Sequence, residues 1–332
     1  MLILAIESSC DDMSASVVKD GRVVVSNVVS SQNDIHNKYG GIVPELASRR
    51  HIETVVPVVE EALFKAGVKL SDVECIGVTS GPGLVGSILV GLTFAKAAAY
   101  VAKKPLIPVD HIKAHALSAF ISDKEGAAAP EFPFVSFVVS GGHTTLFLVE
   151  DFTKMSVLGE TRDDAAGEAF DKAAKLMGLG YPGGVLIDRL ARNGDKAAYS
   201  FTKPRIKSGA LEFSFSGLKT AVLLEVQKAS EVNDEFRRNM SASFQEAVVD
   251  ALLDKAFRAV KETGVKSLSI AGGVACNSRL RERAAELASG VDIGLFIPPP
   301  KYCTDNAAMI GHMAYRLYKE GVTAGLELNA EP

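Results

Sequence analysis

Four cysteines in 332 residues is a small number, and Cys10, Cys75, Cys276 and Cys303 stand far apart with no C-x-x-C spacing. That pattern excludes a thiolate zinc knuckle and a disulfide scaffold, and leaves four reduced packing residues. Nor is there an excess of positive charge: 36 Lys and Arg against 40 Asp and Glu give a net charge of −4. The field of the whole molecule would not draw in nucleic acid, so any such binding needs a local basic patch or a partner. Arg49 with Arg50, the loop from Lys203 to Lys207, and Arg279, Arg281 and Arg283 could each form a patch or simply be solvated surface. Long apolar runs are also missing. The richest, Gly86 to Ala102, is broken by Gly, Thr and Lys, short of the ~18 uncharged residues of a membrane span. The opening residues turn acidic without a basic lead or a small-residue cleavage site. The expectation is a cytoplasmic protein with no secretory signal and no membrane partner.

What is present is 47% hydrophobic content, ample for about two cores at ~150 residues per domain. Leu2 to Ile6 reads as a strand, Met13 to Val18 and Arg22 to Val29 as a hairpin around Asp20-Gly21, and Val43 to Ala66 as an amphipathic helix. A strand (Val73 to Val78), a Gly-rich turn, a long helix, a short strand (Pro105 to Val109) and a helix carrying two histidines follow. The same βββαβαβα order returns from Phe134: Phe134 to Gly142, then Thr144 to Glu150 and Lys154 to Glu160 as the hairpin. Phe244 to Thr263 reads as the amphipathic helix, Ser267 to Gly273 and Asp292 to Pro300 as strands, and Asp305 to Glu320 as the last helix. Two copies of one unit predict an α/β fold of two similar domains facing each other across a cleft. The expected bounds are 1–122, a connector 123–133, 134–320 with a helical insertion over about 163–240, and a tail 321–332.

Such a cleft suits a nucleotide, because Gly-bearing turns at strand ends expose N–H groups to phosphate. Gly81 and Gly83, Gly141 and Gly142, Gly183 and Gly184, and Gly272 and Gly273 occupy those ends, where each alone would be an ordinary turn residue.

His111 and His115 are four apart, so a helix places both on one face within reach of a single ion, or buries both as core imidazoles. A zinc or ferrous site would need a further ligand. Asp305, where the last helix begins, could approach across the cleft, or could cap that helix. A zinc protease places Glu directly after the first histidine to activate water; here Ile112 stands there, so proteolysis lacks its base. Asp11 and Asp12 occupy the turn where a phosphate loop would lie, and could equally be a hydrated turn. Asp171 and Asp188 flank a Gly-rich turn, as ribose-binding carboxylates or as solvent-facing helix charge.

"HIKAH", "SGGHT", "DDAAGEAFDKAAKLMGLGYPGG", "FSFSGLKTAV", "AGGVACNSRLRE" and "TDNAAMIG" occur in this order. Together they resemble the bacterial branch of the TsaD family of tRNA N6-adenosine threonylcarbamoyltransferases, from Leu2 to about Gly321. The resemblance implies an ASKHA (actin-like ATPase) fold and transfer of a threonylcarbamoyl group from threonylcarbamoyl-AMP to N6 of an adenosine. That adenosine lies just 3′ of the anticodon in tRNAs reading codons that begin with A, and AMP is released. It implies one divalent ion per subunit, iron or zinc, on His111, His115 and Asp305. The adenylate would lie on Val138, Val139, Ser140, Gly141, Gly142, Asp171, Gly184, Asp188 and Asn277, in a cleft that could also take ATP or ADP. Besides tRNA, the implied partners are a TsaB-like paralogue and a TsaE-like ATPase, with a TsaC-like enzyme supplying the intermediate. Family members usually carry Thr or a similar small residue where this chain has Met13, which removes a hydroxyl contact at the phosphate loop. No residue is an obvious base for the amine proton, and Asp11 is the one catalytic candidate. The fold alone would also fit a sugar kinase, an ATPase or a nucleotide-regulated scaffold.

Overall fold

The computed structural model describes residues 1–201 and 211–332. The Lys203–Lys207 loop, one of the three candidate basic patches, lies outside the described residues.

Leu2–Glu7 (β1) is buried on both faces: Leu4 and Ile6 point into one core, Ile3 and Ala5 into another. Met13–Lys19 (β2) and Val23–Ser30 (β3) extend it antiparallel; Cys75–Gly81 (β4) and Leu106–Asp110 (β5) extend it parallel on the other side. The first sheet therefore runs β3-β2-β1-β4-β5. Phe134–Val139 (β6), Thr144–Val149 (β7), Met155–Glu160 (β8), Ser267–Ala271 (β9) and Gly294–Phe296 (β10) form the second, in the order β10-β9-β6-β7-β8. The two orders are the same pattern, which is the repeat expected from the sequence.

The helices before the mid-chain connection are Asn33–His36 (α1), Pro44–Ala66 (α2), Val85–Ala102 (α3) and His111–Ala116 (α4). Those after it are Ala166–Leu176 (α5), Gly183–Ala191 (α6), Ser216–Lys228 (α7), Asp234–Thr263 (α8), Ser278–Ser289 (α9), Pro300–Cys303 (α10) and Ala307–Lys319 (α11). Their ends follow local chemistry. Pro44 opens α2 where its missing N–H is not needed, and Gly67, at φ +67, closes it in the left-handed conformation that costs glycine least. Asn233 caps α8, which starts ten residues earlier than the apolar spacing from Phe244 suggests.

Three cores result. One lies between the first sheet and α2 with α3, and one surrounds α8 beside the second sheet. The third sits between the sheets and draws on both: Ile3, Ala5 and Ile107 meet Phe134, Val138 and Phe147. Two helices join the halves here. α11, last in the chain, lies across β1, β2, β4 and β5 of the first sheet, and α4 touches β6 and β9 of the second. Sequence periodicity cannot reveal this exchange, because an apolar stripe says how much a helix buries and not against which sheet.

Among the described residues α3 is the one helix long and apolar enough to cross a membrane, interrupted only by Lys96. Its Ile88, Leu92, Ala95 and Ala99 stripe is buried, and it packs on α2 and β4 as a core helix does.

Candidate metal centre and adenylate cleft

The exchange places the two histidines. Asp110, at the end of β5, accepts from the backbone N–H of Ile112 and Lys113, each at 2.9 Å, and so starts α4 at His111. One turn later His115 lies on the same face, and both side chains are buried against the second sheet. Asp305 reaches them from the turn before α11. Its Oδ1 is 3.0 Å from His115 Nε2 and 3.6 Å from His111 Nε2, and the three ligand atoms lie within 4.8 Å of one another.

The capping alternative for Asp305 fails, because Asn306 does that work: its Oδ1 accepts from Met309 N–H at 3.1 Å. The preceding carboxylate is left free to face the histidines.

Sequence reasoning missed Glu7. The last residue of β1 is wholly buried, and its carboxylate accepts from Ser9 N–H (2.5 Å), Thr79 Oγ1 (2.6 Å) and His111 Nδ1 (2.9 Å). A carboxylate only accepts, so His111 carries its proton on Nδ1 and turns Nε2 toward Asp305. The one signal available was an acidic residue closing an otherwise apolar strand. Burial alone would push the His111 pKa down, but Glu7 and Asp305 outweigh it and lift it to about 9. Burial also opposes ionisation of Asp305, and His111 and His115 hold its pKa far below the usual carboxylate range. His115 is pushed down, first by burial.

The surroundings are acidic. Asp11 and Asp12 sit between β1 and β2, and burial raises both, Asp12 to about 7 with the charges of Asp11 and Asp305 adding. Carboxylates drawn together in a half-dry cleft call for positive charge. His115 Nδ1 is also buried with no hydrogen-bond partner. Two imidazoles and one carboxylate on converging elements fit a divalent cation that keeps further positions open.

A pH dependence follows. At pH 7 the metal-free site holds a proton on His111 that an ion must displace, so affinity should climb with pH until about 9 and uptake should release protons. Titration calorimetry in two buffers of different ionisation enthalpy measures that release. The same raised pKa stabilises the metal-free fold fully below pH 6.5, the unfolded value, and that contribution is lost as pH rises through about 9. Glu7→Gln keeps the shape but donates where it should accept. It should weaken metal binding by about 10- to 100-fold, read by competition with a chelator.

The turn between β6 and β7 forms the neighbouring wall. Val138 and Val139 are buried at the end of β6, Ser140 is nearly so, and Gly141 and Gly142 are exposed with nothing within 4 Å of where a Cβ would stand. Ser140 N–H donates to the His143 carbonyl (2.7 Å) and His143 N–H to Ser140 Oγ (3.1 Å), which fixes the turn. α5 begins against it: Gly167 N–H donates to the Ser140 carbonyl at 3.1 Å.

Asp171, on α5, accepts from Gly183 N–H at 2.7 Å, and burial lifts its pKa to about 6 against that bond and one from Gly184. Gly183 is glycine for closeness, since a Cβ would stand 2.7 Å from the Asp171 Cα. Gly184 has room beside Phe170. Asp188 and Asn277 are more committed than the sequence suggests. Asp188 accepts from Ser278 N–H (3.2 Å) and Oγ (2.7 Å) and pairs with Arg192 at 3.1 Å. Asn277 caps α9 through Leu280 N–H (3.0 Å) and donates to Gln245 (2.7 Å). These two shape the cleft wall from within. Met13 is fully buried in the α2 core, so no side-chain group at that position faces the loop.

Of the candidate basic patches, the described ones are largely paired. Arg49 meets Glu45 and Arg50 meets Glu53; Arg279 meets Glu246, Glu282 and Glu286. Arg281 is spent on the carbonyls of Ala275 and Pro298.

Two similar sheets with crossed helices around a cleft define an ASKHA-type protein, here with a group suited to a metal. Comparison with known proteins narrows the class. The TsaD family model, tRNA N6-adenosine threonylcarbamoyltransferase, matches residues 23–312. The tRNA N6-adenosine threonylcarbamoyltransferase of Syntrophus aciditrophicus (strain SB) is 53% identical over 331 residues, covering 99% of this chain and 96% of that protein. That of Clostridium beijerinckii is 50% identical over 332 residues, covering 100% and 97%. The chain belongs to the TsaD family. In fold alone it is similar to a full-length HypF (TM-score 0.63, 14% identity, covering 98% of this chain and 56% of that one). It is also similar to component A of the (R)-2-hydroxyglutaryl-CoA dehydratase of Acidaminococcus fermentans (TM-score 0.52, 17% identity, covering 96% and 97%).

Proposed function

We infer that this chain transfers a threonylcarbamoyl group to N6 of an adenosine in tRNA, as its family name describes. The observation that carries the reading is the His111, His115 and Asp305 group beside a glycine-exposed turn, inside a family match that spans most of the chain. In the finer reading the donor is threonylcarbamoyl-AMP. Its adenosine lies toward Asp171, Gly184, Asp188 and Asn277, and its phosphate lies against the Val138 to Gly142 segment, at the exposed Gly141 and Gly142. The acceptor is the adenosine 3′ to the anticodon in tRNAs reading codons that begin with A, and AMP leaves.

The residues have distinct physical tasks. The β6–β7 turn holds the phosphate without a side chain to reorganise, and Gly167 lets α5 come close enough to set that turn. Glu7 orients His111, and Asp305 brings negative charge to both imidazoles. A divalent ion on His111, His115 and Asp305, iron or zinc, would supply Lewis-acid charge to oppose the charge developing on the carbamoyl and phosphate oxygens.

The partners belong to the same reading: a TsaB-like paralogue, a TsaE-like ATPase and a TsaC-like supplier of the adenylate. α2 and α3 pack on each other and leave Ile52, Val56, Phe64, Val85, Leu89, Tyr100 and Val101 exposed, an apolar surface that suits a paralogous subunit.

The test uses the chain with these partners, the adenylate, and two tRNAs differing only in adenosine or inosine at the acceptor position. Label should enter the adenosine tRNA alone, one AMP appearing per label. Equal labelling of both, or AMP release independent of tRNA, would refute transfer to N6.

A further inference from the structure

The first turn of α3 holds donors that have no task so far. α3 is 18 residues long, and its N-cap, Leu84, has no side-chain oxygen to offer. Ile88 N–H is the first to be bonded, to the Leu84 carbonyl at 2.9 Å, so the N–H groups of Val85, Gly86 and Ser87 are unpaired among the described residues. Two hydroxyls beside that turn are unpaired as well. Ser87 is fully buried and its Oγ has no partner; as the third residue of the helix it tilts its side chain back toward the first turn. Ser8, just after β1, is equally buried with an unpartnered Oγ, and it presses on Gly91, one turn further along the same face of α3.

Direct contacts tie this helix start to the metal group. Leu84 N–H donates to the Ser9 carbonyl at 2.7 Å, and a Cβ on Gly83 would collide with that same oxygen. Ser9 Oγ in turn lies 3.2 Å from His111 Nδ1. A single residue, Ser9, thus separates the start of α3 from the first histidine. β1, β4 and β5 run parallel, so Ser8 with Ser9, Gly83 with Leu84, and Asp110 with His111 all follow strand C-terminal ends on one edge of the sheet. That edge is where α/β sheets receive their ligands.

We propose that the first turn of α3 binds the free carboxylate of the donor's threonyl group. The proposal rests on the transferase reading above and deepens it by adding a subsite. The donor has an anion on either side of its reacting carbon. Its phosphate is set against Gly141 and Gly142 in the second half, and its carboxylate stands one amino-acid backbone away from the carbamoyl carbon on the other side. With that carbon at the metal group, the carboxylate falls to the first half. The side chains gathered there, Glu7, Asp11, Asp12 and Asp305, accept hydrogen bonds when ionised and cannot hold an anion. Its partners must be N–H and O–H donors, and α3 has three unpaired N–H groups with the Ser87 hydroxyl beside them. The positive end of the helix dipole favours the same charge.

The experiment measures binding by calorimetry to the full chain with its partners. The ligands are a non-transferable threonylcarbamoyl adenylate analogue, the same analogue without its carboxylate, and AMP. Wild type should bind the first about 10- to 100-fold more tightly than the second. Leu84→Asp places a competing carboxylate on the same N–H groups and improves the helix cap. It should lose that preference, while melting temperature does not fall and AMP affinity and metal content stay at wild-type levels. Ser87→Ala should lose part of the preference, about 3- to 10-fold. A purely structural helix start would respond in melting temperature and leave the preference intact. Equal wild-type affinity for the two analogues would overturn the proposal, as would a Leu84→Asp variant that keeps the preference. A Leu84→Asp variant that weakens AMP as much as the analogue would place the phosphate on α3 and overturn it too. Wild-type transfer to tRNA beside equal affinity for the analogues sinks the proposal alone; a carboxylate preference without any transfer sinks the transferase reading and leaves the carboxylate site supported.

Discussion

Asp305→Ala should abolish metal retention and lower transfer by about 10³-fold or more, the several kcal/mol that a Lewis acid and its charge supply. The fold should survive. Asp305 caps nothing, because Asn306 holds Met309 N–H, so α11 keeps its start and the sheet it covers keeps its core. In the metal-free protein the carboxylate is a charge partner of His111 and His115 and a like charge to Glu7, so its removal gives up the first interaction and relieves the second. Asn306→Ala is the complementary variant, costing about 1 kcal/mol in stability through the lost cap while metal and activity remain. Metal analysis, melting curves and single-turnover rates on the pair separate the two roles. Had Asp305 been the cap, the same substitutions would give the reverse pattern.

Gly167→Ala should lower kcat/KM about 10²-fold, as a misplacement of about 1 Å at the reacting groups does. The added Cβ would stand 2.7 Å from the Gly141 Cα and 2.7 Å from the Ser140 carbonyl oxygen. Both are backbone atoms, held by the Ser140 to His143 turn, so no side chain can swing aside to make room. Either α5 tilts, carrying Asp171 with it, or the turn moves with its exposed N–H groups. Both routes loosen the donor. The adenylate analogue should bind more weakly in proportion to the lost kcat/KM, while metal content stays at the wild-type level. Unchanged kcat/KM and donor affinity would mean that the turn does not position the donor.

Much of this was legible in the residues, for reasons that differ from site to site. The doubled strand order could be read because apolar periodicity and Gly-bearing turns are local signals, and the two sheets repeat one pattern. His111 and His115 were visible because a helical spacing of four puts two side chains on one face wherever the helix packs. Asp305 was half legible: Asp and Asn stand side by side before α11, and only the fold decides that Asn306 caps and Asp305 faces the cleft. Glu7 was not legible as a site residue, since its meaning comes from Thr79 on β4 and His111 on α4, far away in sequence. For Asp188 and Asn277 the sequence carries no record of the bonds to Ser278 and Gln245 that hold them in the cleft wall.

The most direct measurement is nucleoside mass spectrometry of an unmodified tRNA after incubation with this chain, its partners and threonylcarbamoyl-AMP, run with metal-loaded and with metal-stripped protein. The account predicts threonylcarbamoyladenosine at the position 3′ of the anticodon with the loaded protein, and loss of that product on stripping followed by its return on adding iron or zinc. Unmodified adenosine throughout, in an assay where a known TsaD works with the same partners, would contradict it.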